Sequence, residues 1–162
     1  MTSAYERALR LLGQRQHFRG DLRRKLLAKG YEAEEVDAAL ARCAAAGYLD
    51  DEATARAFVA ERQQRRGLGR ARIAAELRRH GAGSEAVSAA LGSTSDEDEL
   101  LRAREAAAKW ARRGESGPAA RAALARHLDR KGFSRRAIVA VLESAGSSGE
   151  VDLDETAAEP AD

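Results

Sequence analysis

The chain has 162 residues, of which 44% are hydrophobic, 4% aromatic and 33% charged, and its formal net charge is +2. Its single cysteine excludes an intrachain disulfide, and its longest apolar run, residues 137–142, is far too short to span a bilayer. With no apolar segment near the N-terminus to act as a signal, the sequence predicts a soluble, cytoplasmic protein that makes no contact with membrane.

One pattern of apolar residues and glycine recurs three times at a fixed offset of 51 residues. It consists of an apolar pair four residues apart, a glycine, and a second apolar pair four residues apart. Its members are Leu22, Leu26, Gly30, Val36 and Leu40, then Ile73, Leu77, Gly81, Val87 and Leu91, and then Leu124, Leu128, Gly132, Ile138 and Leu142. This repeat indicates one helical unit written three times, an architecture that often serves binding.

Each copy of the pattern predicts two helices separated by a glycine. Residues four apart share a helix face, and a glycine four residues later suits the left-handed residue that ends a helix. Residues 3–16, 51–66 and 96–113 precede the three copies, and each stretch supplies one further helix. Ala, Leu, Arg and Glu dominate the composition, and these are good helix formers. The sequence therefore predicts nine helices and no strand.

Several predicted helices have a recognisable first turn. An acidic or hydroxyl side chain at the N-cap accepts a hydrogen bond from a free backbone N–H, and proline fits the first helical positions. The predicted starts are Asp50 or Asp51, Ser95 with Asp98 in a capping box, Ser84, Ser134 and Pro118.

These elements together predict an all-α fold of three tandem three-helix repeats, forming an elongated, curved, right-angled helical array with a disordered acidic tail. We place unit 1 at residues 1–49, unit 2 at 50–94, unit 3 at 95–146 and the tail at 147–162. Because a three-helix unit of about 50 residues is marginally stable alone, neighbouring units are expected to stabilise one another.

Charge is distributed unevenly along the chain. The tail holds six acids and no base, which leaves 28 bases against 20 acids, or +8, for residues 1–146. Rich in Ser, Gly and Ala, the tail has almost nothing to bury and is predicted to be disordered. Two interpretations stay open: a mask over the basic body, or a solubilising tail of no specific role.

Basic residues cluster within each unit, most densely around Gly67 and Gly69 in unit 2. Guanidinium groups suit phosphates and, equally, the carboxylates of a protein partner. Any one cluster is also compatible with a solvated helix face. Aromatic residues for base stacking are missing from the clusters except for Phe18 nearby, so sequence-specific nucleic-acid recognition is not supported. The predicted contact residues are Arg65, Arg66, Arg70, Arg72, Arg78 and Arg79, with Arg23, Arg24, Lys25, Arg126, Arg130 and Lys131 contributing.

No convincing catalytic or cofactor site is predicted. Asp50 and Asp51 fall where a helix begins, and acids there favour the helix dipole. The three histidines lack a shared spacing, and Cys43 lies among alanines, so neither zinc nor a nucleophile is indicated. No strand or third glycine accompanies Gly67 and Gly69, which excludes a dinucleotide fingerprint. We predict no enzyme activity, no metal and no cofactor.

Residues 47–81 resemble the central signature of the RecX family, bacterial regulators of the RecA recombinase. The signature has Gly and Leu before two acids, a helix with Ala, Phe, Val and Arg, and a Gly before a second helix with Arg-Ile and Glu-Leu. It is met by Gly47, Leu49, Asp50, Asp51, Ala57, Phe58, Val59, Arg62, Gly69, Arg72, Ile73, Glu76 and Leu77. Residues 18–40 and 123–142 resemble the flanking parts of the family, so the resemblance covers roughly residues 4 to 143.

The resemblance implies a non-enzymatic modulator built from tandem three-helix units. RecX proteins bind the RecA filament on single-stranded DNA, lie along its groove, and inhibit strand exchange and ATP hydrolysis; interaction with DNA itself is also attributed to them. We therefore expect a monomeric regulator of recombination, DNA repair and the SOS response. The alternative is a protein that binds single- or double-stranded DNA directly, through its basic residues and without RecA.

Overall fold

The computed structural model describes residues 2–111 and 117–147, and within these ranges it contains nine α-helices and no strand. The all-α prediction and its helix count are confirmed. The helices are α1 (Ala4–Gln14), α2 (Arg19–Leu27), α3 (Ala33–Ala45), α4 (Asp51–Arg66), α5 (Arg70–Arg79), α6 (Ser84–Gly92), α7 (Asp96–Ala111), α8 (Pro118–Arg130) and α9 (Arg135–Ser147). The acidic tail from residue 148 and the last two residues of the helix predicted at 96–113 lie outside the described residues.

Most of the predicted helix starts are confirmed. The Asp50 side chain accepts a hydrogen bond from Ala53 N at 2.8 Å, and Pro118 occupies the first position of α8. Ser134 Oγ accepts from Ala137 N at 3.3 Å. The prediction for Ser84 is wrong by one residue: Gly83 is the N-cap of α6, so Ser84 already lies inside the helix, where its hydroxyl makes no capping bond.

Capping boxes begin two of the first helices of the units. In the predicted box before α7, Asp98 N donates to Ser95 Oγ at 3.0 Å, and Ser95 N donates to Asp98 Oδ2 at 3.3 Å. An unpredicted box begins α1, where Ser3 and Glu6 exchange the same two bonds at 3.2 Å. Both boxes satisfy backbone N–H groups that a helix start leaves free.

The repeated glycines end the middle helix of each unit, as the pattern predicts. Gly30, Gly81 and Gly132 have φ values of 87°, 88° and 81°. This left-handed region strains a residue with a Cβ, which explains the glycine. Each glycine directs the chain into the last helix of its unit, so the unit is a compact three-helix bundle.

Each unit has its own hydrophobic core. Leu22, Leu26, Val36 and Leu40 lie in the core of unit 1 and are fully buried. Units 2 and 3 place the corresponding residues in separate clusters, where Leu91, Ile138 and Leu142 are only partly buried, and helices pack mainly on others of their own unit. Phe18 is an exception, because it precedes α2 of unit 1 yet packs into the core of unit 2. The contacts between neighbouring units are therefore confined to small areas.

The contact between units 2 and 3, here called the second joint, is formed by main-chain atoms. Gly69 N donates to Lys131 O at 2.8 Å, and Ala71 N donates to Gly132 O at 3.1 Å. The free N–H groups at the start of α5 are thus satisfied by carbonyls at the end of α8. A Cβ on Gly69 would overlap the carbonyl of Gly132, so only glycine allows this approach.

The first joint, between units 1 and 2, repeats the arrangement. A Cβ on Gly20 in α2 would lie 2.5 Å from Gly81 O, and one on Gly81 would lie 2.7 Å from Asp21 N. The middle helices α8, α5 and α2 therefore run head to tail, with the end of each meeting the start of the next. This order aligns their dipoles favourably. A Cβ on Gly30 would have no atom within 4 Å, because Gly30 follows the end of α2 that is opposite to the first joint and meets no further unit.

An acid from the following unit strengthens each joint. Asp51 Oδ1 accepts from Arg19 N at 2.8 Å, and Glu99 Oε1 accepts from Arg70 N at 3.2 Å. Burial is the main cause that raises the pKa of Asp51 above its usual value. Asp50 and Asp51, which a sequence search for paired carboxylates singles out, thus each cap a different helix.

Candidate functional site

Six of the twelve predicted contact residues are exposed, lie near the C-terminal ends of helices and form no ion pair with another described residue. They share a position where cations are favoured by the helix dipole, so part of their presence is explained by helix stability alone. Arg65 and Arg66 end α4, Arg78 and Arg79 end α5, and Arg126 and Arg130 lie in the last part of α8.

Two predicted contact residues of unit 2 are engaged inside the protein. Arg70 pairs with Asp96 and, at 3.1 Å, with the buried Glu99 of unit 3. The hydrogen bond to Asp96 is the main cause that raises the pKa of Arg70 above its usual value, and Glu99 adds to the rise, whereas burial acts in the opposite direction. Arg72 Nε lies 3.3 Å from Glu76 Oε1. Arg70 therefore holds units 2 and 3 together, a role that its sequence neighbours do not reveal.

The three predicted residues of unit 1 also have acidic partners. Arg23 forms a two-pronged pair with Asp37, with Nε at 2.8 Å from Oδ1 and Nη2 at 3.1 Å from Oδ2. Arg24 and Lys25 both bind Asp21, at 3.1 and 2.8 Å. The basic cluster of unit 1 is thus largely neutralised by its own acids.

The fold brings residues of units 2 and 3 together at the second joint. Lys131 Nζ donates to the main-chain oxygen of Arg66 at 2.9 Å. Beside this bond lies a cleft of about 270 Å³ between the end of α4, one face of α7 and the end of α8, here called the second cleft. It is lined by Arg65, Arg66, Gly67, Arg102, Glu105, Ala106, Lys109, Trp110, His127 and Lys131. Of the residues that the structure describes, five cations and one acid line this small space.

Arg102 has unmet hydrogen-bonding capacity in this cleft. Its Nε and Nη2 atoms are buried and find no hydrogen-bond partner among the described residues. Burial lowers the pKa of Arg102, although Asp98, Glu99 and Glu105 on the same helix act in the opposite direction. Buried N–H donors are almost always paired in folded proteins, so an unpaired guanidinium in a cleft marks a position for an acceptor.

Lys131 is also destabilised in its charged form. Burial lowers its pKa, and the nearby Lys109 lowers it further. A negative group between these two ammonium groups would relieve both effects.

Trp110 is the residue that sequence reasoning missed. It is the only tryptophan of the chain, it is half-buried, and it packs against the core of unit 3 while lining the second cleft. The conclusion that aromatic residues are missing from the basic clusters holds for the sequence neighbourhood and is wrong for the folded protein. The sequence does contain a signal for this position. Trp110 follows Arg102 by eight residues and Ala106 by four, a spacing that places all three on one face of α7.

The equivalent space at the first joint, here called the first cleft, has a different character. Its charged residues are two cations, Arg15 and Arg62, and two acids, Asp21 and Glu61. Arg62 pairs with Glu61 at 3.1 Å and with the buried Glu76 at 2.8 Å. The charges of the first cleft therefore compensate one another within the fold.

Aromatic rings fill part of the first cleft. The rings of Phe58 and His80 lie 5.4 Å apart in an edge contact, and the ring of Phe18 lies 6.4 Å from that of Phe58. The Arg62 guanidinium lies over Phe58 at 4.3 Å. These rings are occupied by one another, whereas Trp110 borders an open and basic space.

Residues suited to chemistry are few in the described part of the chain. Cys43 is buried, and burial raises the pKa of its thiol, which disfavours a nucleophilic thiolate. Within residues 2–111 and 117–147, no group of three or more His, Cys, Asp and Glu side chains is placed to hold a metal ion. None of the described helices has the length and apolarity needed to cross a membrane. The described surface offers electrostatic anchoring.

Comparison with known families assigns the chain. Residues 4–43 match the model described as RecX, first three-helix domain, and residues 50–91 match RecX, second three-helix domain. Together the two matches cover about half of the chain. The chain belongs to the RecX family. This membership supports a regulatory protein and confirms the resemblance found in the sequence.

Curated RecX relatives share part of the chain. A regulatory protein RecX of Thermus thermophilus is 55% identical over 60 residues, which are 37% of this chain and 42% of that protein. RecX of Pelodictyon phaeoclathratiforme is 40% identical over 62 residues, or 38% of this chain and 39% of the relative. The chain thus matches about two fifths of the length of these curated relatives.

Solved structures of the family share the fold over a longer stretch. The crystal structure of RecX from Lactobacillus salivarius superposes with a TM-score of 0.81 at 19% identity, covering 89% of this chain and 95% of that one. Another structure of regulatory protein RecX gives a TM-score of 0.76 at 25% identity, covering 86% of this chain and 70% of the other. The three-unit architecture is therefore that of RecX structures, including the part beyond the two matched domains.

Proposed function

We propose that the protein is a non-enzymatic regulator that binds RecA filaments on single-stranded DNA and inhibits RecA-driven strand exchange and ATP hydrolysis. The observation that carries this proposal is RecX family membership, given by the matches over units 1 and 2. Inhibition of RecA is what the family resemblance implies for the chain.

The architecture supports this proposal. Three units joined end to end through main-chain contacts present several surfaces at fixed spacing. A filament offers repeated copies of one binding surface, and linked weak contacts to such copies gain affinity through their high effective concentration. Because a filament carrying DNA is strongly negative, the basic body of the protein is attracted to it at long range.

The exposed arginines at helix ends are the best candidates for contact with the filament. Arg65, Arg66, Arg78 and Arg79 are exposed, as are Arg126 and Arg130, and none of these guanidinium groups forms an ion pair with another residue in the described part of the chain. The remaining predicted residues are bound to partners within the chain and would have to exchange them. They are Arg23, Arg24, Lys25, Arg70, Arg72 and Lys131.

The test adds the purified protein to RecA on single-stranded DNA and follows ATP hydrolysis and strand exchange. We expect both rates to fall at stoichiometric protein. The variant carrying Arg78→Glu and Arg79→Glu is expected to inhibit more weakly, because two attractive contacts become repulsive. A charge-matched control carries Arg10→Glu and Arg104→Glu, two exposed arginines outside the predicted contact set. Unchanged rates with the unmodified protein would sink the proposal.

A second function, direct binding of DNA without RecA, is favoured by the excess of cations in the second cleft. This function predicts that the affinity for naked DNA falls steeply as salt rises, since each neutralised phosphate releases counterions. An affinity that is weak at low salt and insensitive to salt would argue against it.

A further inference from the structure

The second cleft carries positive charge that the fold itself does not use. Lys109 and the two arginines at the end of α4 are exposed, and among the described residues Glu105 is the one acid that lines the space. The first cleft, at the corresponding place in the array, balances two cations with two acids. The excess of positive charge is therefore specific to the second cleft and is not a feature that the repeat produces at every joint.

Arg102 is the residue that most clearly indicates a ligand for the positively charged second cleft. A buried guanidinium nitrogen without an acceptor loses its hydration and gains nothing in return, which makes it costly. Hydrophobic or shorter side chains would fill the same place on α7 without that cost, as Ala57 does in α4. The Nε and Nη2 atoms of Arg102 are buried and unpaired, so a small turn of this side chain toward the cleft would let them donate to oxygen atoms of a negatively charged group.

Trp110 narrows the class of ligand. Free phosphate and carboxylate groups gain nothing from an aromatic face, whereas a nucleobase stacks on one. The bases of a duplex are already stacked on their neighbours, so a single indole in a cleft is available only to an unpaired base. A phosphate beside Arg102 and a base beside Trp110 are neighbouring parts of one nucleotide.

We propose that the second cleft binds a phosphodiester group of single-stranded nucleic acid, with Arg102 and Lys109 on the phosphate and Trp110 stacked on the adjacent base. Lys131 and the arginines at the end of α4 surround the entry and contact flanking phosphates. This inference rests on the second proposed function, direct DNA binding, and it assigns to that function a place and a preference for single strands.

The single tryptophan gives a direct measurement. Stacking of a base on Trp110 is expected to quench its fluorescence, and no other tryptophan in the chain contributes. The full-length protein, without RecA, is titrated with a short oligothymidylate, with an abasic deoxyribose-phosphate oligomer of equal length, and with a poly-glutamate peptide. We expect quenching by the oligothymidylate, binding without comparable quenching by the abasic oligomer, and no competition from the peptide.

Variants of the lining residues then locate the site. Arg102→Met is expected to weaken oligothymidylate binding about tenfold and Lys109→Gln about threefold, as charge-assisted contacts to phosphate are lost. Each is expected to reduce the slope of log affinity against log salt by about 0.7. The matched control is Arg15→Gln in the first cleft, a position equivalent to Arg66, which should bind as the unmodified protein does.

The thermal midpoint of Arg102→Met separates binding from folding. Because the substitution removes two buried N–H groups that lack acceptors, we expect this midpoint to stay equal or to rise while binding falls. A lower midpoint with unchanged DNA affinity would instead make Arg102 a structural residue and overturn the assignment.

Three possible results distinguish the proposed site in the second cleft from the proposed function of direct DNA binding. If DNA binds with a steep salt dependence but both variants bind normally and Trp110 is not quenched, the site is wrong and direct binding stands. If no DNA binds at all, both fail. If poly-glutamate quenches Trp110 and displaces the oligothymidylate, the cleft takes protein carboxylates and the nucleic-acid assignment is overturned.

Discussion

The two joints of the array share a backbone arrangement and differ in almost every side chain around it. Both place a glycine turn at the end of one middle helix against the start of the next. The first joint is bordered by compensated charges and mutually packed rings, and the second by uncompensated cations and an open tryptophan face. Architecture and recognition are thus encoded by separate sets of residues.

Position by position, the contrast is sharp. Arg15 and Arg66 occupy equivalent places, and His80 corresponds to Lys131, all at the offset of 51 residues. Counted from its N-cap, Ala57 in α4 corresponds to Arg102 in α7. Arginine in place of alanine at this position is one of the changes that give the second cleft its surplus of positive charge.

The largest expected effect comes from closing the second joint to a side chain. Gly69→Ala is expected to lower the free energy of unfolding by about 3 kcal/mol, because the methyl group overlaps Gly132 and two main-chain hydrogen bonds are lost. Urea unfolding measures the change, and hydrogen exchange of the Ala71 amide localises it. The control is Gly83→Ala, also at an N-cap with negative φ but with no atom within 4 Å, which should cost less than about 1 kcal/mol. Equal effects of the two would break the idea that the joint depends on close approach.

The acids that cap across the joints should differ in strength. Glu99→Gln is expected to cost about 2 kcal/mol, since this buried carboxylate holds both the amide and the guanidinium of Arg70. Asp51→Asn should cost about 0.5 kcal/mol, because the amide oxygen still accepts from Arg19 N and the raised pKa shows little stabilisation of the charge. Thermal unfolding of both variants measures the difference. A larger loss of stability for Asp51→Asn than for Glu99→Gln would contradict the prediction that the capping acid contributes more at the second joint.

A loss of stability between pH 7 and pH 5 is expected at the first joint and not at the second. Burial is the main cause that lowers the pKa of His17 below 6.5, while its Nδ1–H donates to Asp21 at 2.7 Å. Unfolded His17 gains a proton near pH 6.5 and folded His17 only at lower pH, so the unfolded chain binds more protons and stability falls as the pH drops below 6.5. His17→Gln should flatten this part of the curve in urea titrations between pH 7 and pH 5. Leu68 fills the equivalent place at the second joint and adds no such step.

A second loss of stability at the first joint is expected at lower pH, from protonation of Asp21. Burial alone would raise the pKa of Asp21, but hydrogen bonds from Lys25, His17 and Arg24 outweigh it and hold the value far below the usual range. The stability that this carboxylate contributes is present above pH 4 and is lost as the pH falls further. Asp21→Asn should remove that step and leave the step of His17 measurable.

The smallest effect is expected from the exposed ion pair at the edge of the second joint. Arg136 Nη1 lies 3.3 Å from Asp96 Oδ2, but the two side chains are 85% and 57% exposed. Arg136→Gln should therefore change the free energy of unfolding by less than about 0.5 kcal/mol. A loss of more than about 1 kcal/mol in thermal unfolding would give surface charge a structural role at this joint.

Local features of the fold could be predicted from the sequence because the interactions that create them are local. Asp50 and Ser95 cap helices through residues three positions away, and the repeated glycines end helices through their own conformational freedom. Ser84 fails by one residue because Gly83 already supplies the extended N-cap. Ser3 followed by Glu6 carries the same capping-box signature, so this helix start also depends on residues three positions apart.

Features that depend on distant residues could not be predicted. Arg70 is near other arginines in the sequence, and only the fold shows that Asp96 and Glu99 of the next unit hold it. Trp110 belongs to a helix of unit 3 that meets the basic end of α4 only across the second joint. The twelve contact residues and the limits of the three units stay predictions, as does the curvature of the array.

The meeting of helix ends through main-chain atoms has a consequence for how this family can diverge. Every residue except proline has the same amide and carbonyl groups, so this kind of contact constrains a few glycines and leaves other side chains free to vary. The crystal structure of RecX from Lactobacillus salivarius is only 19% identical to this chain yet superposes with a TM-score of 0.81. The fold therefore tolerates the exchange of most side chains.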